Sequence, residues 1–131
     1  QLLRAASALG LGLAALAGAS AASAAPGAQV YAENCAACHQ PAGQGVKGAF
    51  PALAKSKFVT GDQTALVSTV LNGRGGMPAF NTDLTPEDLA SVLTYIRASW
   101  GNKATPIGKG LIVTVRSKSA QGASRRAMEA H

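Results

Sequence analysis

The sequence predicts a small all-α domain of three to four short helices. Apolar residues recur at helical spacing in two stretches of the 131-residue chain, 63–71 and 86–99. The segments between them are rich in Gly and Pro, which favour loops, and nothing resembles the strand–helix alternation of an α/β fold. The part of the chain that holds the predicted helices is roughly 70–80 residues long. Domains below that size usually need a covalent cross-link or a bound cofactor, a staple, to be stable. We therefore expect such a staple to complete the core.

The N-terminal segment is predicted to be a secretory signal that is cleaved near Ala24. Arg4 supplies a positive charge, residues 8–19 form an apolar stretch, and small residues follow at 22–24. The alternative is an uncleaved membrane anchor, because the run 5–25 is long enough for a short span. A cleaved signal predicts export to the periplasm.

Two helices are predicted in the first half of the domain. Residues 28–34 allow one or two helical turns. Asp62 is a candidate N-cap for the helix at 63–71, and Gly73 follows its end. The apolar positions of this second helix are Leu66, Val67 and Val70.

The strongest helix signal covers 86–99. Thr85 is the predicted N-cap, and Pro86 takes the first helical position, where its missing N–H costs nothing. The carboxylates of Glu87 and Asp88 suit the positive end of the helix dipole. The apolar stripe that would face the core consists of Leu89, Val92, Leu93 and Ile96.

The C-terminal residues 104–131 are predicted to be an extension of the domain, which itself covers 25–103. The stretch "GLIVTVR" at 110–116 is short, apolar and β-branched, so it predicts a strand-like segment. The polar residues 117–131 predict poor order.

Both cysteines and one of the two histidines stand together as Cys35-Ala36-Ala37-Cys38-His39. The pattern C-x-x-C-H is typical of covalent haem attachment, in which two thiols form thioethers and the imidazole binds the iron. We therefore predict one covalently bound haem c, with Cys35 and Cys38 as tethers and His39 as an axial ligand. Thioether bonds would also protect both thiols from oxidation outside the cytosol.

Three other readings of the cysteines compete with haem attachment. A zinc site needs four ligands, but only His131 remains beyond the cluster. A thioredoxin-type disulfide expects a βαβ context, which is missing. A structural disulfide across two intervening residues is strained and closes almost no loop. Haem attachment accounts best for the motif.

The second axial ligand has three candidates: Met77, Met128 and His131. Met77 lies on a Gly-Pro loop between two predicted helices, where Gly75 and Gly76 allow the backbone to approach the ring closely. Met128 and His131 lie in the predicted poorly ordered tail. The sequence therefore favours Met77 as the ligand that pairs with His39, although a packing role is the alternative for any methionine.

The order of these features resembles a class I monohaem cytochrome c: helix, C-x-x-C-H, "FPAL", helix, M-P loop, terminal helix. The stretch "GRGGMPAFNTDLTPEDLASVLTYIRASWGN" carries most of the likeness, which covers about 28–103. More closely, the chain is similar to the cytochrome subunits and domains that take electrons from periplasmic alcohol, aldehyde and related dehydrogenases. The residues after Lys103 depart from that pattern.

The resemblance implies further residues at the cofactor. The carbonyl of Pro51 would accept a hydrogen bond from His39, unless Pro51 only stiffens its loop. Arg74 would pair with a haem propionate, unless it is a solvated surface residue. Tyr95 is a candidate for the haem edge, but filling of the core is the favoured role for both Tyr95 and Trp100. The expected pocket walls are Phe50, Leu53 and Phe80.

These expectations favour a one-electron carrier, not an enzyme, that shuttles electrons between a periplasmic dehydrogenase and a respiratory acceptor. The alternatives are a haem enzyme with an exchangeable distal site, of peroxidase or sulfur-oxidising type, and a small-ligand sensor. Once the signal is removed, 11 of the 12 Lys and Arg stand against 6 Asp and Glu, which predicts a redox partner with an acidic docking face, with simple solubility as the alternative. We expect no nucleic-acid partner and, once the signal is cleaved, no membrane insertion.

Overall fold

The computed structural model describes residues 25–130, so the predicted signal at 1–24 and the terminal His131 lie outside the described residues. The described part is all-α, as predicted, and contains no strand. Its helices are α1 (Gly27–Asn34), α2 (Ala36–His39), α3 (Lys57–Thr60), α4 (Gln63–Asn72), α5 (Pro86–Ala98) and α6 (Lys109–Glu129).

The helices α4 and α5 begin at the caps that the sequence predicts. The Asp62 carboxylate accepts a hydrogen bond from the Ala65 N–H at 2.7 Å. The Thr85 hydroxyl accepts one from the Asp88 N–H at 3.1 Å. These bonds satisfy N–H groups that have no partner inside the helix. Both predicted helices are confirmed to within one residue at either end.

Helix α1 packs closely against α5 because Gly27 has no side chain. A methyl group at Gly27 would overlap the carbonyl oxygen of Ser91 on α5. Two hydrogen bonds fix the approach: the Ala25 N–H donates to the Asp88 carboxylate at 3.0 Å, and the Ser91 hydroxyl donates to the Ala25 carbonyl at 2.9 Å.

The core is aliphatic and draws on most of the helices. Its side chains become inaccessible to water on folding, which is the main favourable term for a domain of this size. The buried aliphatic residues are Val30, Val59, Leu66, Val67, Leu71, Leu89, Val92, Leu93, Ile96, Ile107, Ile112 and Val115.

Helix α6 occupies the region for which the sequence predicts a strand at 110–116, so that prediction is wrong. Ile112 and Val115, three positions apart, share one helical face and are buried against α4 and α5. Burial of this face outweighs the β-propensity of the branched side chains. The polar residues after Val115 continue the same helix to Glu129.

Two polar side chains are buried and make hydrogen bonds with carbonyl groups. The Arg97 guanidinium, 2% exposed, donates to the carbonyls of Val59 and Thr105. The Asn102 amide, 3% exposed, donates to the carbonyl of Leu53 at 2.9 Å. Arg97 therefore ties the chain after α5 to α3.

No helix within residues 25–130 has both the length and the apolar character required to cross a bilayer.

Candidate functional site

A mostly apolar cavity of about 380 Å³ lies between α1, α3, α4 and α5. Both cysteines, His39 and Met77 line it, so the structure brings the four predicted ligand and tether residues to one place. The predicted walls Phe50, Leu53 and Phe80 line it as well, together with Pro51 and Arg74. A second depression lies over the loop 44–52 and is lined by that loop alone.

The thiols and the imidazole reach the cavity because the chain makes one helical turn directly after α1. The Cys35 N–H still bonds to the Tyr31 carbonyl at 2.9 Å, and α2 follows at once. Side chains three and four residues apart share a helical face, so Cys38 and His39 lie on the same face as Cys35. Burial, with a smaller effect of Cys38, raises the pKa of the Cys35 thiol to about 11. A thiol with a raised pKa is a weaker disulfide-exchange nucleophile than an ordinary cysteine at neutral pH.

His39 is oriented by the loop that follows it. Its Nδ1 lies 2.8 Å from the carbonyl oxygen of Pro51, the contact that the resemblance implies. A carbonyl can only accept a hydrogen bond, so Nδ1 carries a proton, and in the neutral ring the lone pair is then on Nε2. That is the tautomer which an axial imidazole ligand requires.

The loop that carries Pro51 is anchored at Gly43. The Gly43 carbonyl accepts hydrogen bonds from the Leu53 N–H at 2.7 Å and the Ala54 N–H at 2.9 Å. Gly43 has a φ of +63°, and a methyl group there would overlap the Trp100 ring. The loop therefore requires glycine at this position, for both its conformation and its contact with Trp100.

An aromatic cluster supports this loop from behind. The rings of Tyr31 and Trp100 are 4.9 Å apart, and Tyr95 packs against both. The Tyr31 hydroxyl donates to the Gln40 carbonyl at 2.7 Å, and burial raises the pKa of Tyr31 to about 12. Tyr95 does not line the cavity. Tyr95 instead packs in the aromatic cluster, which is the core-filling role that the sequence favours for it over a position at the haem edge.

Met77 reaches the cavity from the opposite loop. It forms an isolated antiparallel bridge with Arg74, in which the Met77 N–H donates to the Arg74 carbonyl at 3.0 Å. Arg74 is exposed at the edge of the cavity. Met128 is 79% exposed on α6 and does not line the cavity, and His131 lies outside the described residues. Among the described candidates, only Met77 is near the other ligand residues.

The sequence reasoning misses Phe58 and the turn that carries it. Helix α3 is a single turn, capped by the Ser56 hydroxyl, which accepts a hydrogen bond from the Val59 N–H at 3.3 Å. It places Phe58 at the cavity with 44% of its surface exposed. The only local signal is a serine three positions before Val59, which is weak evidence for a helix.

The cavity and its lining fit an iron porphyrin. Its walls are mainly apolar, and a volume of about 380 Å³ is within the range of cofactor pockets. Two thiols, one imidazole and one thioether are the donors that haem attachment and iron ligation use. Among residues 25–130, no three His, Cys, Asp or Glu side chains cluster as an alternative metal site.

A helical domain with this cavity, these two thiols and this imidazole defines a c-type cytochrome. The chain belongs to the family described as "Cytochrome C oxidase, cbb3-type, subunit III", whose family model matches residues 22–96. The predicted resemblance is thereby confirmed, and the cofactor of the domain is one covalently bound haem c.

Curated relatives support the same class. The chain is 38% identical over 91 residues to "Alcohol dehydrogenase (quinone), cytochrome c subunit" of Gluconacetobacter polyoxogenes, an alignment that covers 60% of this chain and 19% of the relative. It is 39% identical over 77 residues to cytochrome c6 of Leptolyngbya boryana, covering 57% of this chain and 91% of the relative. It is 39% identical over 90 residues to the cbb3-type cytochrome c oxidase subunit CcoP of Azospirillum brasilense, covering 63% of this chain and 30% of the relative.

The chain therefore matches 91% of a small cytochrome but only 19% of the alcohol dehydrogenase subunit. What these relatives share is a cytochrome c domain that takes part in electron transfer.

Proposed function

We propose that this protein carries single electrons between a periplasmic dehydrogenase and a respiratory acceptor, through a haem c whose iron is bound by His39 and Met77. The observation that carries the proposal is that His39 and Met77 line one cavity together with both cysteines. Cys35 and Cys38 would hold the haem as thioethers. When bound, the haem supplies a one-electron redox couple.

The residues around the haem would keep this couple at a high potential and free of side reactions. The Pro51 carbonyl accepts a hydrogen bond from His39 Nδ1 at 2.8 Å, which fixes the ring and leaves Nε2 for the iron. A methionine ligand raises the reduction potential relative to a second histidine. The apolar walls would exclude water, and Arg74, which also lines the cavity, would pair with a propionate.

The composition of the cavity favours a carrier over a haem enzyme. Peroxidase-type chemistry needs an open iron site with acid–base groups beside it. The titratable side chains that line the cavity are the two cysteines, His39 and Arg74. Among the lining residues there is therefore no carboxylate and no second histidine that would serve an open iron site.

The proposed partner has an acidic docking face beside the cavity opening. Phe50 and Phe58 line the cavity and are 40% and 44% exposed, so they offer apolar contact at that opening. The excess of 11 Lys and Arg over 6 Asp and Glu that remains after signal cleavage would speed the encounter with an acidic protein and make its rate fall as salt is added. The periplasm as the location rests on the predicted signal sequence.

Absorption spectroscopy of the haem-loaded protein tests the proposed ligands. The ferric form should show a sulfur-to-iron charge-transfer band, and Met77→Ala should abolish it, lower the reduction potential and allow carbon monoxide to bind the ferrous form. Met128→Ala is the matched control, because Met128 is 79% exposed and away from the cavity. If Met77→Ala keeps the band, another residue is the ligand and the proposal is wrong.

A further inference from the structure

Helix α6 lies beyond the family match at 22–96, yet it contacts the segment that connects Met77 to α5. The Arg116 Nη2 donates a hydrogen bond to the Leu84 carbonyl at 3.0 Å. The Leu84 side chain lines the same cavity as Met77. We infer that Arg116 is a positioning residue that holds the Met77 loop closed over the cavity; this inference rests on the proposed ligation by Met77.

Arg116 acts from a helix that is itself fixed on both sides. Ile112 is fully buried and Val115 is 5% exposed, so the face next to Arg116 is part of the core. Toward its start, α6 is anchored by the Lys109 ammonium, 2.9 Å from the Glu87 carboxylate. Arg116 therefore has a rigid base from which to hold a loop.

Besides the packing of Phe80 and Leu84 on the core, the segment that Arg116 holds makes few hydrogen bonds to the rest of the domain. Between Met77 and α5, the Phe80 N–H donates to the Val70 carbonyl at 3.1 Å. Residues 81–83 are exposed. The bond from Arg116 is thus a second anchor between Phe80 and the start of α5, and it is placed at a residue of the cavity wall.

The position of Arg116 is costly for stability alone. Its Nε is buried and has no hydrogen-bond partner among the described residues. A buried donor without a partner opposes folding, and an apolar side chain of similar length would avoid that penalty. Among the described residues, the hydrogen bond that the guanidinium makes is the one to Leu84, so this bond is the contact through which Arg116 acts on the loop.

Binding of added imidazole to the ferric, haem-loaded full chain tests this role, because imidazole binds the iron only when Met77 has moved away. The apparent Kd reflects the fraction of molecules in that open state. Arg116→Met removes one hydrogen bond from the closed state, so the apparent Kd should fall about threefold to tenfold. Arg116→Lys keeps one donor and should restore most of the difference. If Arg116→Met does not fold, Arg116→Leu, which also lacks a donor, gives the same measurement.

The controls are Lys109→Gln and Ser119→Ala. Each removes a contact of α6 that does not involve Leu84: the ion pair with Glu87, and the hydrogen bond from the Asn72 amide at 3.3 Å. Both should leave imidazole binding unchanged. If they lower the Kd as much as Arg116→Met does, α6 acts by packing alone and the inference is overturned.

Two results separate this inference from the proposed function. If the wild-type ferric protein lacks the sulfur-to-iron band, the proposed ligation fails and the inference fails with it. If the wild type has the band and Arg116→Met binds imidazole with an unchanged Kd, only the inference fails. Unfolding of each variant in denaturant, followed by helix content, shows whether a change in Kd merely reflects a less stable protein.

Discussion

His39 and Met77 line the same cavity, but the chain around His39 is fixed by more contacts than the chain around Met77. On the His39 side, Gly43 is buried and its carbonyl accepts two hydrogen bonds from the loop. On the Met77 side, residues 74–76 are exposed, and the backbone contact of Met77 is a single bridge to Arg74.

The difference indicates a preformed half and an adjustable half of one site. Segments with many buried contacts open only with the whole protein, whereas exposed loops with few contacts open locally at lower free energy. The imidazole is therefore oriented in advance by the fold. The position of the Met77 side chain depends on an exposed loop, and we infer that Arg116 helps to hold this loop closed.

Gly43→Ala should break the His39 side most severely. The new methyl group would overlap the Trp100 ring. The alanine would also have to adopt a φ of +63°, which L side chains disfavour. We expect a loss of about 3 kcal/mol or more in the free energy of unfolding, measured by chemical denaturation.

Gly48→Ala is the matched control for this variant. Gly48 also has a positive φ, +80°, but a methyl group there would meet no atom within 4 Å. It should cost only about 1 kcal/mol, the penalty of the backbone conformation alone. Equal losses in the two variants would show that the contact between Gly43 and Trp100 does not hold the loop.

Asn102→Ala should weaken the same side by about 2 kcal/mol. The Asn102 amide donates to the carbonyls of Leu53 and Ile96, and its removal leaves buried acceptors without this partner. Thermal unfolding measures the loss. Asn72→Ala, at an exposed position on α4, should cost much less. If the two variants unfold at the same temperature, the hydrogen bond from Asn102 to the Leu53 carbonyl does not contribute to stability.

Tyr31 makes the His39 side sensitive to alkaline pH. Burial raises its pKa from 10.0 to about 12, so the folded protein keeps a proton that the unfolded chain has lost. This contribution to stability is complete below pH 10 and is lost as the pH rises toward 12.

Tyr31→Phe removes this titration and the hydrogen bond to Gln40. It should cost about 1 kcal/mol at pH 8, and its difference from wild type should shrink between pH 10 and 12. Tyr95→Phe, in the same aromatic cluster, is the control. Urea unfolding across this pH range is the measurement, and a constant difference between wild type and Tyr31→Phe would contradict the assignment.

The smallest effect is expected at Asp88, where the Met77 side joins α5. A hydrogen bond from the Thr85 hydroxyl, then one from the Ala25 N–H, lowers the pKa of Asp88 below 3.8. Stability from this group is present above about pH 4 and is lost as the pH falls through the lowered pKa. Because Asp88 is largely solvated, its ionisation should contribute well under about 1 kcal/mol to the free energy of unfolding. Asp88→Asn should therefore reduce the loss of stability in acid by that small amount.

Thermal melts between pH 5 and pH 2.5 measure this effect, with the exposed Asp83→Asn as control. An acid sensitivity that Asp88→Asn leaves unchanged would show that this cap does not stabilise the start of α5.

Local patterns predict the parts of this molecule that are built from neighbouring residues. The cap at Thr85 and the apolar stripe after it define α5 almost completely. The C-x-x-C-H motif carries both proposed tethers and His39 within five residues, so a short local pattern is enough to predict them. Met77 could be favoured from its Gly-Pro loop alone, and it does line the cavity.

Contacts between distant residues leave no such pattern. The segment 110–116 has the composition of a strand, and only the packing of Ile112 and Val115 on other helices makes it helical. The bond from Arg116 to Leu84 joins residues 32 apart. Nothing near either residue in the sequence distinguishes it from a solvated arginine and an ordinary loop carbonyl.

The packing of α1 on α5 has a consequence for the order of folding. Ala25 bonds to Asp88 and Ser91, 63 and 66 residues later, and closing a loop of that length is slow compared with forming the helices themselves. Cys35 and Cys38 lie inside this loop, and both are only partly exposed in the folded protein. A chain that has not yet closed the loop should therefore leave both thiols more accessible to a reagent than the folded protein does.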